Sequence, residues 1–137
     1  MKGLHASYRH MALWTLQGWL AMFFIAAGYA KLSQPMDMLI ILLSWPVHFA
    51  PQAVRLLGVV EVVLAAAVLS PLISWAFGRP LLVLATMAML TLEAMMFIIH
   101  AMSFEWSHAL INLALGVMTA IVFAQRSRET SAGGKPI

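Results

Sequence analysis

A single glutamate, Glu61, stands inside residues 55–71 (RLLGVVEVVLAAAVLSP), a run otherwise apolar and long enough to cross most of a bilayer. A carboxylate near the centre of a membrane helix costs at least about 2.5 kcal/mol on insertion scales, so it has to face the protein interior and meet a partner there. Three other stretches are similarly apolar, and each carries ionisable or amide groups that can reach it. The expected fold class is therefore all-α, a transmembrane four-helix bundle with a short interfacial helical segment between helices 1 and 2.

Composition agrees with that expectation. The chain is 63% hydrophobic and only 9% charged, whereas soluble domains run at about 45–50% apolar and about 25% charged. Eight Lys and Arg against five acids give a net charge of +3, but the basic residues lie mostly at the chain ends and in short loops. That distribution reads as membrane topology, so the lipid bilayer is the expected environment and no nucleic-acid partner is expected. The absence of cysteine excludes disulfides, thiolate catalysis and Cys-based metal or iron–sulfur sites.

The first 12 residues are polar and basic, and an apolar run follows over residues 13–32. About 20 residues make a helix of roughly 30 Å, the thickness of the hydrocarbon core. A signal peptide is the competing reading, but this run exceeds the usual apolar stretch of about 7–15 residues. Residues 33–51 (SQPMDMLIILLSWPVHFAP) carry three prolines around an apolar core too short to span, which suits an interfacial segment capping the bundle. The second span is expected over residues 53–72. The third should open at Pro80, where a missing amide proton does no harm, and run to about Ala101. Ser103 is the expected N-cap of the fourth, with Glu105 in its first turn and an end near Ala124. One domain over residues 1–126 and a flexible polar tail over 127–137 complete the division.

The candidate site is the set of polar groups in or at the ends of these spans: Lys31, Arg55, Glu61, Glu93, His100 and Asn112, with His108 beside them. Glu93 and His100 are seven residues apart, hence on one helix face and about 10 Å apart along the axis. Glu61 and Arg55 lie about 120° apart around their helix, so Lys31 is the more natural partner for the carboxylate. Two readings of the cluster stand side by side. It is either a set of structural charge pairs, or the lining of an outward-opening polar cavity for a quinone head group, a proton or a small ligand. Metal ligation by His48, His100 and His108 is the weakest reading, because no HxxxH or HExxH spacing puts two imidazoles on one helix face, and no metal is expected. The methionines of the third span read as flexible packing. Small residues such as Gly28, Gly58 and Ala65 favour close helix approach.

The order of these features resembles the DoxX-like family of small four-helix membrane proteins. The resemblance is carried by FFIAAGYAKL at the end of the first helix, a Trp-Pro element, RLLGVVEVVLAAAVLSP, and EAMMFIIHAMS at the end of the third. Its anchors are Gly28 with Lys31, Gly58 with Glu61, Pro71 and His100. The family includes a small membrane subunit of a thiosulfate:quinone oxidoreductase and a membrane partner of redox enzymes; wider relatives include cargo receptors and receptor chaperones. The resemblance thus implies a bacterial inner-membrane protein, accessory or quinone-side in a redox system, with quinone as candidate cofactor and a membrane redox protein as candidate partner; apart from the resemblance, a homo-oligomer is a further candidate assembly. A non-enzymatic assembly or chaperone role is the first alternative. Solute transport is the second, weakened by the lack of internal repeats.

Orientation follows from charge. Lys2, Arg9, Arg79, Arg126, Arg128 and Lys135 fall on one side of the expected bundle, against Lys31 and Arg55 on the other, so both termini should be cytoplasmic. A reporter that works only outside the cytoplasm should be silent at either terminus; activity at the C-terminus would overturn the orientation.

Overall fold

The computed structural model describes residues 2–131, and these are helical almost throughout. Four helices are long and apolar enough to cross a membrane: Gly3–Ser33, Pro51–Leu72, Trp75–Met102 and Trp106–Ser131. The first, α1 (Lys2–Ser33), has 32 residues, or about 48 Å of helix. It outruns the hydrocarbon core, so its basic first turns, with Arg9 and His10, extend beyond the apolar layer.

Between the first two spans lie α2 (Met36–Leu43) and a 3₁₀ turn, Trp45–His48. The three prolines punctuate this segment as the sequence suggests: Pro35 precedes α2, Pro46 lies in the 3₁₀ turn, and Pro51 opens α3 (Pro51–Leu69). Leu39 and Trp45 are buried and pack with Val54, Met96 and Ile99, so the segment caps the bundle and does not cross it. Trp45 is therefore a core residue, whereas Trp106 is exposed.

Two boundaries differ from expectation. The third span, α4 (Trp75–Met102), begins before Pro80 and contains it. Its first turn is held against the 3₁₀ turn Ser70–Leu72: a Cβ on Gly78 would lie 2.4 Å from the Pro71 nitrogen, so only glycine allows this approach. Packing there outweighs the one backbone bond that Pro80 forgoes. Ser103 ends α4 and does not cap the next helix; the Glu105 carbonyl accepts the Ala109 amide at 3.0 Å as α5 (Trp106–Ser131) begins. Phe104 takes a left-handed φ of 58°, which breaks α4 and reverses the chain within three residues. α5 also continues through 127–131, placed in the tail by sequence; residues 132–137 of that tail lie outside the described residues.

The spans pack as two extensive pairs, α1 with α3 and α4 with α5, joined through α3 and α4. The α1–α5 side is the slightest contact of the ring. Leu20, Phe24, Val68, Leu82, Met89 and Val122 fill the centre, while Val63, Leu84 and Leu110 face outward onto what must be lipid. At the end where α1 starts and α5 finishes, Arg126 is buried. It donates from Nε to Gln17 Oε1 at 2.9 Å and from Nη1 to Glu129 Oε2 at 2.8 Å, between the rings of Trp14 and Trp75.

The α1–α3 pair is drawn together at two glycines. A Cβ on Gly28 would lie 2.6 Å from the Gly58 carbonyl oxygen, and one on Gly58 would lie 2.9 Å from that of Gly28. Gly28→Ala and Gly58→Ala should each destabilise the protein by about 1–3 kcal/mol through overpacking. Gly18→Ala, which meets nothing within 4 Å, should be neutral or stabilising. Thermal unfolding in detergent checks both; equal melting of all three variants would refute the close approach.

Candidate functional site

Lys31 lies in the last turn of α1, where a cation complements the helix dipole, and Glu61 sits two and a half turns into α3. With the glycines in contact, Lys31 Nζ donates to both carboxylate oxygens of Glu61 at 2.8 Å, and both residues are buried. Arg55 does not join the pair. Its guanidinium donates to the carbonyls of Lys31 and Gln34, the latter at 2.7 Å, so it caps the free carbonyls at the end of α1. Both oxygens of Glu61 are already held by Lys31, and Arg55 instead satisfies carbonyls that the helix end leaves without a partner.

Glu93 stands on α4 and is 3% exposed. The Thr119 hydroxyl shares its one proton between Glu93 Oε1 (2.8 Å) and the Leu115 carbonyl (2.9 Å). Glu93 Oε2 is buried with no hydrogen-bond partner. His100 shares the helix with Glu93 but bonds elsewhere, its Nδ1 lying 2.6 Å from Glu105 Oε2. The His100 and His108 rings stack with centroids 5.0 Å apart, and His108 Nδ1 is buried without a partner. Hydrogen bonds from His100, and then from the Ser44 hydroxyl, hold the Glu105 carboxyl below the usual carboxylate range. With the folded pKa depressed, whatever stability this contact contributes is present above the ordinary carboxylate range and lost as pH falls through the lowered value.

Space connects these groups. A cavity of about 160 Å³ has Lys31 and Glu61 on one wall and His100, His108 and Asn112 on another. A gap of about 30 Å³ separates Glu61 from Glu93, room for about one or two waters. Beyond Glu93, a groove of about 470 Å³ lined by Phe97, Leu113, Val117 and Ala120 runs along the α4–α5 face. Asn112 borders all three spaces and donates to the His108 carbonyl at 2.9 Å. Of the sequence candidates, Lys31, Glu61, Glu93, His100 and Asn112 thus line neighbouring spaces that share Asn112, while Arg55 holds the end of α1 beside them. Sequence reasoning missed Thr119, Ser44 and the approach of Glu105 to both histidines; His48 is not in that cluster.

A model of the DoxX-like family matches residues 15–122. The chain belongs to the DoxX-like family. No curated protein and no solved structure matches it. The matched region of this DoxX-like chain contains the Gly28–Lys31 and Gly58–Glu61 spacings, whose geometry is now evident. In each, a glycine one turn before the charged residue removes the Cβ that would hold the helices apart. Arg126 and its contact to Glu129 lie beyond the match.

Removing one member of the buried pair strands the other. Lys31→Met or Glu61→Gln alone should cost about 3–5 kcal/mol, while Lys31→Met with Glu61→Leu should recover much of that loss. Thermal unfolding of the three variants tests this coupling; additive losses would show that the pair does not act as a unit.

Proposed function

We propose that this DoxX-like protein is an accessory, quinone-side subunit of a membrane redox system of the bacterial inner membrane, with both termini cytoplasmic. Its polar cluster holds a quinone head group or passes its proton. One observation carries the reading: a buried carboxylate oxygen of Glu93 has no partner within the protein and borders a long apolar groove on the lipid-facing side. An amphiphile with an isoprenoid-like tail and a hydroxylated head matches that contrast, the tail lying in the groove and the hydroxyl donating to Glu93. From there Asn112, the gap beside Glu61, and His100 mark a polar route toward the capped end of the bundle. A redox protein in the same membrane is the partner this role needs, with a second copy of the chain as the other candidate.

A second reading rests on a different observation. Both Glu61 oxygens are satisfied by Lys31 beside the glycine contact, which is what a structural clasp in a non-enzymatic assembly protein requires.

Gentle detergent extraction followed by solvent extraction and chromatography of the bound lipids separates the two. Quinone should co-purify near one per chain and fall about tenfold in Glu93→Gln, which keeps the side chain's size, with unfolding temperature little changed; a lost hydrogen bond to a charged group corresponds to roughly that factor. Wild-type protein without quinone, or undiminished quinone in the variant, would favour the assembly reading.

A further inference from the structure

Three ligand-bearing side chains meet at the capped end of the bundle, away from the Glu93 groove. His100 lies in the last turn of α4, Glu105 in the reversing turn, and His108 in the first turn of α5. One ligand atom from each lies within 4.8 Å of the other two. The chain can bring them together only because it turns so tightly: Phe104 is left-handed, and the Glu105 amide returns to the His100 carbonyl at 2.9 Å.

Three features set this group apart from an ordinary His–Glu hydrogen bond. His108 Nδ1 is buried with no partner, so a ring nitrogen has been taken out of water without compensation. The Ser44 hydroxyl, at the end of α2, acts on the Glu105 carboxyl from outside the group, the place from which an outer-shell hydrogen bond would steady a metal-binding carboxylate. Ser44 and Phe104 are also the two non-glycine residues with positive φ among those described, and both flank this group. Finally, His100 and His108 border the cavity of about 160 Å³, leaving room for water or a small ligand beside the group.

We infer that His100, Glu105 and His108 bind a divalent transition-metal ion, with its remaining coordination positions open to the cavity. Two imidazoles and one carboxylate suit zinc or ferrous iron, whereas calcium and magnesium favour all-oxygen sets. Ligand bonds of about 2.0–2.2 Å place any two donor atoms at most about 4.4 Å apart. In a four-coordinate centre such bonds set neighbouring donor atoms about 3.3–3.6 Å apart, so from a spread of up to 4.8 Å the widest pair has to close by about 1 Å, with the stacked rings turning so that a nitrogen of each faces the ion. Binding displaces the proton shared by His100 and Glu105 to solvent. The site shares His100 with the polar route proposed above, but Glu93, which carries the quinone reading, is not among its ligands.

The test uses the full chain in detergent, stripped with chelator and then titrated with Zn²⁺ by calorimetry and with Co²⁺ by visible ligand-field absorption. One ion per chain is expected, with Co²⁺ showing the intense spectrum of a four- or five-coordinate centre. His108→Ala and Glu105→Gln should each weaken binding by well over about tenfold, and Ser44→Ala by about tenfold. His48→Ala, which removes a histidine of the same cap, should change nothing. Unfolding temperatures of the metal-free proteins establish that each variant is folded; Glu105→Gln keeps the side chain's shape and serves if His108→Ala does not fold. Absence of stoichiometric binding by the wild type, or undiminished binding in folded Glu105→Gln, overturns the assignment.

Discussion

Two opposite charges buried between α1 and α3 fix how the rest of this protein is put together. Neither Lys31 nor Glu61 is tolerable in lipid alone, and together they are tolerable only at hydrogen-bonding distance. That distance requires backbones closer than any Cβ would allow, which is the task of Gly28 and Gly58. Once α1 and α3 are locked, Arg55 closes the carbonyl end of α1, and α2 folds across the same end with Leu39 and Trp45 against α3 and α4. A local electrostatic demand thus settles helix spacing, register and the cap.

The α4–α5 pair answers to a different constraint. Its connection is three residues long, and the left-handed Phe104 gathers His100, Glu105 and His108 around it. Glu93 lies two turns deeper, held by one hydroxyl on one oxygen only. The first pair is electrostatically complete and the second is not. Stability belongs mainly with the former, and any chemistry with the latter.

Much of this was legible in the residues. Four spans, the capping segment and the Lys31–Glu61 contact follow from the single rule that lipid offers no partner to a polar group. What escaped depended on turns and on distance. Glu105 read as a helix-dipole residue because nothing in Ser103-Phe104-Glu105 announces a left-handed phenylalanine, a conformation bulky residues rarely adopt. Helix geometry turns Arg55 away from Glu61, but nothing local in the sequence points it to the free carbonyls of Lys31 and Gln34. Pro80 read as a helix start because the contact of Gly78 with Pro71 cannot be seen from local propensity. Gln17 and Arg126 stand 109 residues apart, and neither lies in a pattern that points to the other.

That last contact lies on the thinnest seam of the ring. α1 and α5 meet least of all neighbouring spans, and the seam is stitched at one end by Arg126 with Gln17, between two tryptophans. During synthesis α1 and α3 can clasp, and α4 can join them, while the ring is still open to lipid on one side. The stitch itself is supplied by a residue near the end of the last span. A chain lacking Arg126 would carry nearly all of its apolar segments and still lack the stitch, so the thinnest seam of the ring hangs on one polar contact at one end.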